Sequence, residues 1–342
     1  MEKLAIVLFN LGGPDSPAAI KPFLFNLFND PAIIGAPGLI RQALAWYIST
    51  KRAPVAKTIY AHLGGRSPLL ELTQNQASVL ETALGSDCRT FIAMRYWHPF
   101  TEEAVAAVKQ WAPDRIVLLP LYPQYSTTTT ASSIKAWKVA AAKAGLSVPT
   151  QSVCCYPTEE GMIRAQADLL GLALKQIGGT PRVLFSAHGL PKKVIEKGDP
   201  YQVQVEMTAQ AIVTALGQDT LDWQICYQSR VGPLEWIGPS AEAEIQRAGR
   251  EGKALVVQPV AFVSDHSETL VELDIEYAHL AKETGVPRYV RVPVLGNHPL
   301  FIEALASLVR RAVTARCDPC SERGGRLCGE AWTRCAQAKS TG

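Results

Sequence analysis

Short apolar runs alternate along this chain with longer segments whose apolar residues recur at helical spacing. The short runs predict β-strands at residues 3–9, 90–95, 115–121, 148–154, 182–187, 222–227, 254–260 and 288–292. The longer segments predict helices at residues 101–111, 131–144, 159–177, 202–216, 240–250 and 268–284. Such alternation is typical of βαβ units with right-handed crossovers, so we expect an α/β fold with parallel sheets.

The pattern also repeats between the two halves of the chain. Three pairs of segments occur in the same order: LFNLGGP (8–14) with LFSAHGLP (184–191), FIAMRYWHP (91–99) with ICYQSRVGP (225–233), and IVLLPLYPQYS (116–126) with LVVQPVAFVSDH (255–266). This order predicts two similar doubly wound domains, residues 1–150 and 151–315, followed by a tail at 316–342. Because ligands bind at the carboxyl ends of the strands in such sheets, all six loops should face one cleft between the domains.

Composition narrows the range of functions. The chain has 342 residues, 47% of them hydrophobic and 19% charged, which is the balance of a folded globular protein. Its net charge of +3 comes without a long basic run, which argues against nucleic acid as the main partner. No apolar stretch has the length of a membrane span, and the N-terminus resembles a first strand rather than a signal peptide. We therefore expect a cytoplasmic protein, with peripheral membrane contact left open.

His188 lies where the predicted strand 182–187 gives way to the turn residues Gly189 and Pro191. The carboxyl end of a strand is the usual place for function in this kind of sheet. Its imidazole could act as a base or a metal ligand, or could simply cap a neighbouring backbone group. Its position at the end of a strand favours the functional role.

The segment VSDHSETLVELDIEYAHL (263–280) adds carboxylates to the same region. Glu268, Glu272 and Glu276 are spaced to line one face of an α-helix, and the row begins beside Asp265 and His266. Three glutamates at this spacing are often only a solvated acidic face. A row that starts at the cleft could instead bind a cation and pass protons, and with an imidazole opposite it would suit ferrous iron.

Other residues of the predicted cleft could hold a flat, partly anionic ligand. The aromatic candidates are Tyr96, Trp97, Tyr122, Tyr125 and Trp236; the polar candidates are Arg52, Arg95, Arg230, Ser67 and Ser229. Each aromatic side chain could equally belong to the core. The segment 33–48 carries more apolar residues than a surface insertion needs, which predicts an exposed lip for a membrane or a large apolar ligand.

Half of the eight cysteines lie close together near the C-terminus. Cys317, Cys320, Cys328 and Cys335 fall within nineteen residues, whereas Cys88, Cys154, Cys155 and Cys226 are scattered through apolar segments. Four thiolates satisfy the ligand count of a metal site. Zinc and a [2Fe–2S] cluster both accept four cysteines, and the spacing does not separate them.

Several of these motifs resemble those of the ferrochelatases, which insert ferrous iron into a porphyrin. The resemblance extends from FNLGGPDSP near the start to GNHPLF near residue 300, and its strongest motifs are LFSAHGLPKKVIEKGDPY, YQSRVGPLEWIGP and FVSDHSETLVELDIEY. It implies the chelatase fold, with two Rossmann-like domains and the active site between them. It also implies that the substrates are protoporphyrin IX and Fe²⁺ and that the products are protohaem and two protons.

The resemblance assigns roles to individual residues. His188 is implied as metal ligand or proton acceptor and Glu268 as the group that faces it. Asp265, His266, Glu272 and Glu276 correspond to a path for protons or metal. Porphyrin contacts are implied for Tyr96 and Trp236, and handling of the propionates and the lip, at about 33–66, for Arg52, Tyr60, Ser67 and Arg230.

For the tail, the resemblance favours a [2Fe–2S] cluster on Cys317, Cys320, Cys328 and Cys335 over structural zinc. Some family members take one ligand from upstream, after a QYS sequence that continues here with Thr127, so Cys154 or Cys155 could substitute for a tail cysteine. A homodimer and contact with the inner face of the cytoplasmic membrane are compatible with the family. The rival functions are a chelatase for coproporphyrin or another tetrapyrrole, and a haem- or iron-binding redox sensor without turnover.

Overall fold

Two parallel sheets organise the computed structural model, which describes residues 2–218, 220–230 and 234–338. The first sheet has the strand order β2-β1-β3-β4-β9 and the second β6-β5-β7-β8, and every pairing is parallel. The strands are β1 (Leu4–Asn10), β2 (Cys88–Met94), β3 (Arg115–Pro120), β4 (Thr150–Cys155), β5 (Arg182–His188), β6 (Asp222–Gln228), β7 (Leu255–Pro259), β8 (Tyr289–Arg291) and β9 (Cys320–Ser321). The predicted α/β architecture with parallel sheets is confirmed.

Helices cover both faces of each sheet. They are α1 (Ile20–Phe28), α2 (Gly38–Ala61), α3 (Leu69–Leu84), α4 (Thr101–Trp111), α5 (Thr130–Ala144), α6 (Glu160–Ile177), α7 (Lys192–Glu196), α8 (Tyr201–Leu216), α9 (Ala241–Arg250), a π-helix (Glu268–Tyr277), α10 (Ala278–Glu283) and α11 (Pro299–Thr314). The strands are parallel because each crossover connection returns the chain to the end of the sheet at which the previous strand began. Apolar residues on both faces of β1, β3, β5 and β7 are therefore buried.

The core between the sheets is continuous. Its largest cluster of buried apolar side chains includes Leu8 and Val117 of the first sheet, Phe185 of the second, and Leu170 and Leu305 of the helices between them. Separate clusters lie under α4 and α5 on one outer side and under α9, the π-helix and α10 on the other. The two halves therefore share their main core, although each has its own sheet.

The sheets divide later in the chain than the expected boundary near residue 150. That position falls at the start of β4, which pairs with β3 through Ile116 and Thr150 and so belongs to the first sheet. The tail, predicted as a separate segment from residue 316, adds β9 to the far side of β4 by pairing Val153 with Cys320. Its last four residues, 339–342, lie outside the described residues.

One predicted helix differs in kind. The segment 268–284 was expected to be α-helical throughout, but its first ten residues form a π-helix before α10 begins at Ala278. A π-helix bonds residues five apart instead of four, and such turns are frequent at functional sites. Glu268, Glu272 and Tyr277 point inward, whereas Glu276 is exposed, so the place of Glu276 in the acidic path stays a prediction.

Candidate active site

A cleft opens between the two sheets at the carboxyl ends of their strands. Its empty volume, including the part open to solvent, is about 1040 Å³. The lining comes from the loops after β1, β2, β3, β5 and β7 and includes Leu11, Tyr96, Tyr122, His188 and Phe262. Five of the six loops predicted to face one cleft therefore line it. The sixth loop, after β6, lies behind the cleft wall, where it hydrogen-bonds to Glu272.

His188 and Glu268 form the polar centre of the cleft. His188 is the last residue of β5, and its Nδ1 lies 2.9 Å from Oε2 of Glu268 in the first turn of the π-helix. The backbone carbonyl of His188 accepts a hydrogen bond from the hydroxyl of Tyr201 at 3.1 Å. Nε2 of His266 lies 3.7 Å from the same Glu268 oxygen. With Nδ1 bonded to the carboxylate, the other ring nitrogen of His188 is left for a ligand.

The charges of this pair stabilise each other. Burial alone would lower the pKa of His188, but the charge and hydrogen bond of Glu268, with the charge of Glu272, outweigh it and raise that pKa above its ordinary 6.5. For Glu268, burial acts to raise the pKa. The imidazoles of His188 and His266 outweigh burial and hold the pKa of Glu268 well below its ordinary 4.5. The site therefore contains a strengthened base beside a persistent carboxylate.

Glu272 lies behind this pair in a dense set of donors. Its carboxylate accepts hydrogen bonds from the side-chain amide of Gln228 at 3.0 Å, the backbone N–H of Ser229 at 2.8 Å, the Ser229 hydroxyl, and the hydroxyl of Tyr277 at 3.0 Å. Ser229 adopts a φ of 59°, in the left-handed region that is uncommon for a non-glycine residue. Burial and the charge of Glu268 nevertheless raise the pKa of Glu272. This carboxyl can hold a proton more readily than Glu268.

The remaining members of the predicted acidic path lie apart from this set. Asp265 pairs with Arg291 of β8, whose Nη1 is 3.1 Å from its Oδ1. The same guanidinium also binds Asp274 of the π-helix. Arg291 thus ties the π-helix and the loop before it to the second sheet. Glu276 is exposed on the outer face.

Aromatic residues of the first half form the opposite wall. Tyr96 is buried and donates its hydroxyl to Asp30 at 3.0 Å, and both Tyr96 and Tyr122 line the cleft. Arg95, predicted to bind a carboxylate of the ligand, is paired with Asp30 at 2.7 Å and bonded to Ser132 at 2.8 Å. The positive charge of Arg95 is therefore balanced by Asp30 within the protein.

The other predicted ligand-binding residues occupy varied positions. Tyr60 is buried beside Ser267 and Glu268, and burial raises its pKa to about 12. Arg52 is exposed on α2, with its guanidinium carbon 5.7 Å from the centre of the Phe28 ring. Ser67 packs closely against Gly13, where an added Cβ would lie 2.4 Å from its hydroxyl oxygen. Arg230 and Trp236 both pack against Gly189, next to His188.

Tyr125 does not belong to the cleft. It is buried with Cys154 and Cys155, and Leu327 and Ala336 of the tail pack against the three of them. Trp97 packs with the lip helices. Both aromatic side chains thus follow the alternative in which they serve packing.

The cysteines of the tail approach those of β4. Cys320, Cys328 and Cys335 are buried and Cys317 is exposed, while the sulfurs of Cys154 and Cys155 lie 3.7 Å apart at the end of β4. A hydrogen bond from Cys328, against the opposing effect of burial, lowers the pKa of Cys335 to about 6, and Arg326 adds to the shift. Across the part of the chain that the structure describes, no three histidine, cysteine, aspartate or glutamate side chains are arranged to hold a metal ion.

Comparison with known proteins identifies the family. A family model described as ferrochelatase matches residues 3–313. Proteins named ferrochelatase from Caulobacter vibrioides (strain NA1000 / CB15N) and Phenylobacterium zucineum (strain HLK1) are 55% and 53% identical over 341 residues, which cover 98% of this chain and 97% and 98% of theirs. The chain belongs to the ferrochelatase family. The family predicted from the motifs is thus confirmed.

The fold has a more distant structural neighbour. The sirohydrochlorin chelatase from Bacillus subtilis subspecies spizizenii, solved in complex with cobalt, aligns with a TM-score of 0.53 over 91% of this chain and 96% of that one. Only 14% of the aligned residues are identical, so this likeness bears on the fold alone. It agrees with the expected chelatase fold.

Some residues of the site were not predicted. Asn10, Gln124, Tyr201 and Phe262 line the cleft, and Asp30 organises Arg95 and Tyr96. Asn10 and Phe262 occupy the quoted segments LFNLGGP and LVVQPVAFVSDH, so their position after a strand was an available signal. Asp30 carried no such signal, because its partners are distant in sequence.

The His188–Glu268 pair predicts a defined change on mutation. In Glu268→Gln the main attraction is lost while burial remains, so the pKa of His188 should fall below 6.5; Glu272→Gln should lower it less. Titration of the labelled imidazole by NMR measures both. An unchanged pKa in Glu268→Gln would show that Glu268 does not set the charge of His188.

The sign for stability follows from the same shifts. Stabilisation through His188 is full below 6.5 and is lost as pH rises through its raised pKa, while that through Glu268 is present above 4.5 and is lost as pH falls through its lowered pKa. The difference in unfolding free energy between wild type and Glu268→Gln should therefore be largest between pH 4.5 and 6.5.

Proposed function

We propose that the protein inserts Fe²⁺ into protoporphyrin IX to give protohaem, with release of two protons, as a step of haem biosynthesis. The observation that carries this proposal is the His188–Glu268 pair, at 2.9 Å, in an apolar and aromatic cleft of a ferrochelatase-family chain. The cleft supplies flat apolar surface for a macrocycle. The pair supplies a base where the pyrrole nitrogens would lie.

His188 and Glu268 have complementary parts in this chemistry. Metallation requires that two pyrrole nitrogens lose their protons as the ion enters. The neutral imidazole of His188 accepts a proton at its free ring nitrogen, and the carboxylate of Glu268 stabilises the imidazolium that forms. The charge of Glu268 also attracts the hydrated Fe²⁺ substrate. His266 and Glu272 extend the polar side of the cleft away from the porphyrin.

The lining favours protoporphyrin among tetrapyrroles. Leu11, Leu27, Ile33 and Leu69 give the first half of the cleft an apolar surface, and Arg95 is already neutralised by Asp30. A highly carboxylated ring would need more free cations. Coproporphyrin remains the alternative substrate of the same fold, for which Arg52, Arg230 and Ser67 are the proposed carboxylate partners. A haem- or iron-binding sensor is the non-enzymatic alternative.

Turnover tests the proposed function. With excess protoporphyrin IX and Fe²⁺ under anaerobic conditions, the wild type should quench porphyrin fluorescence over many turnovers, and His188→Ala should lower the rate by at least about 100-fold. His279→Ala, at an exposed position on α10, is the matched control that should retain full activity. Saturation at one equivalent would instead indicate a binding protein, and turnover with coproporphyrin alone would indicate the alternative substrate. Near-normal turnover of a folded His188→Ala variant would rule out its role.

The cysteines support a second proposal, a [2Fe–2S] cluster held by the tail, with structural Zn²⁺ as the alternative. The chain contains the four cysteines that such a site needs, although no three of them are arranged as metal ligands among the described residues. β9 brings Cys320 alongside β4, and Gln204 of α8 bonds to Cys328 at 3.1 Å. The predicted ligands are Cys317, Cys320, Cys328 and Cys335. Because Cys317 is exposed, Cys154 or Cys155 is the substitute that burial favours. Such a cluster would bind the tail to the first sheet and supply redox sensitivity.

Metal content and spectra test the cluster. The purified protein should carry about two iron atoms per chain with [2Fe–2S] absorbance, and Cys320→Ser should remove both, while Cys88→Ser on β2 should keep them. Comparison of Cys317→Ser with Cys154→Ser and Cys155→Ser identifies the fourth ligand. Zinc in place of iron would establish the structural alternative. Retention of the spectrum in Cys320→Ser would exclude the tail set.

The exposed residues of the lip support the proposal of a cytoplasmic protein that makes peripheral contact with an anionic membrane surface. Leu39 of α2 is 84% exposed and Trp46 is 58% exposed, and Lys51, Arg52 and Lys57 follow on the same helix. Within the residues described, no helix is long and apolar enough to cross a bilayer. Exposed apolar residues beside cations are the pattern of an interfacial helix. The homodimer remains a prediction.

Vesicle binding tests the lip. Cosedimentation with phosphatidylglycerol vesicles should weaken at least about tenfold in the double variant Leu39→Ser, Trp46→Ser, because each side chain would lose the free energy of burial in the membrane. Leu172→Ser, which removes an exposed leucine from α6, should bind as the wild type does. Equal binding of all three proteins would contradict the proposal.

A further inference from the structure

The hydroxyl of Tyr277 lies between two carboxylates. It is 3.0 Å from Oε1 of Glu272 and 3.1 Å from Oε1 of Glu242. Tyr277 is the last residue of the π-helix and is buried, whereas Glu242 is the second residue of α9 and is half-buried. The contact joins the inner side of the active site to a helix on the outer layer.

The hydrogen count makes this contact unusual. A tyrosine hydroxyl has one hydrogen to donate, yet both neighbouring oxygens belong to carboxyl groups. If both were ionised, a lone pair of the hydroxyl would face a carboxylate oxygen, which is repulsive in a buried place. One shared proton removes the conflict, because a protonated carboxyl donates to the tyrosine while the tyrosine donates to the other carboxylate. The three groups thus form a line along which one proton can be held at either end.

The surroundings favour proton sharing. Burial and the charge of Glu268 raise the pKa of Glu272. Three other titratable groups lie nearby: Glu268 on the π-helix, Cys226 on β6 and Tyr289 on β8. The charge of Glu242 contributes to a raised pKa of Cys226, and the charge of Glu272 contributes to a raised pKa of Tyr289. Arg247 of α9 is paired with Glu244 at 2.7 Å. The negative environment stabilises a proton on the trio.

We propose that Tyr277 and Glu242 carry protons from Glu272 out of the active site to the surface of α9, a role that rests on the proposed metallation as the source of the protons. Protonated Glu272 donates to the Tyr277 oxygen as Tyr277 passes its own hydrogen to Glu242. The tyrosine stays neutral, Glu242 becomes protonated, and it then releases the proton to water. Rotation of the hydroxyl restores the starting arrangement. The proposed route begins at Glu272 and does not include Glu276.

Kinetics of Tyr277→Phe and Glu242→Gln test this relay. Each should lower kcat for metal insertion by about tenfold, less than loss of a group that acts directly on the porphyrin, and leave KM for porphyrin unchanged. The solvent deuterium isotope effect on kcat should rise, because proton release becomes limiting. Glu242→Asp should restore part of the rate. Tyr289→Phe, which removes a hydroxyl bonded to Leu273, and Glu283→Gln on the exposed face of α10 are the matched controls.

An infrared readout separates the relay from the proposed function. The resting wild type should show a protonated carboxyl band that shifts in Tyr277→Phe and disappears in Glu272→Gln. Absence of this band overturns the shared proton whether or not the protein turns over. If the wild type is active and folded Tyr277→Phe and Glu242→Gln keep its kcat and isotope effect, the relay is wrong while the function stands. Absence of wild-type turnover overturns the function, and with it the role of the trio as an exit for porphyrin protons.

Discussion

The contact between His188 and Glu268 is the interaction on which the site depends. It joins the end of β5 to the first turn of the π-helix, and each partner keeps the other charged against the cost of burial. The groups around it are arranged to preserve this balance: Tyr201 fixes the backbone of His188, and Gln228 bonds both the backbone carbonyl of Glu268 and the carboxylate of Glu272. The same geometry makes His188 a stronger base and places Glu272, whose pKa is raised, behind it.

The π-helix extends the polar groups of the site from the cleft toward β6 and α9. Its five-residue bonding step lets Glu268 face the cleft while Glu272 turns toward β6 and Tyr277 toward α9. Arg291 anchors the same segment through Asp265 and Asp274. The polar side of the cleft therefore rests on the second sheet, while the apolar and aromatic wall comes from the first. Each half supplies one kind of surface.

Much of the fold could be predicted from the sequence, because buried parallel strands are short, apolar and flanked by turns. All eight predicted strands occur, and His188 and Glu268 meet as their strand-end positions implied. The two-residue β9 could not be predicted, since it exists only through its pairing with β4. The π-helix was missed because the apolar spacing of this segment is also that of an α-helix. The partner of Arg95 was hidden for another reason: Asp30 is brought there by tertiary packing alone.

The continuous core between the sheets constrains how this molecule can move. Hinge closure of two domains requires an interface that can part, but here α6 and α11 bury apolar side chains from both halves in one cluster. Rotation of one half against the other would expose that cluster to water, at a cost that grows with the area uncovered. We therefore expect a porphyrin to gain access by displacement of α1 and α2, which pack on each other through the separate small cluster around Ile20, Phe23 and Ala53. On this expectation the rigid part would be the shared core and the moving part would be the lip, rather than two lobes that move against each other.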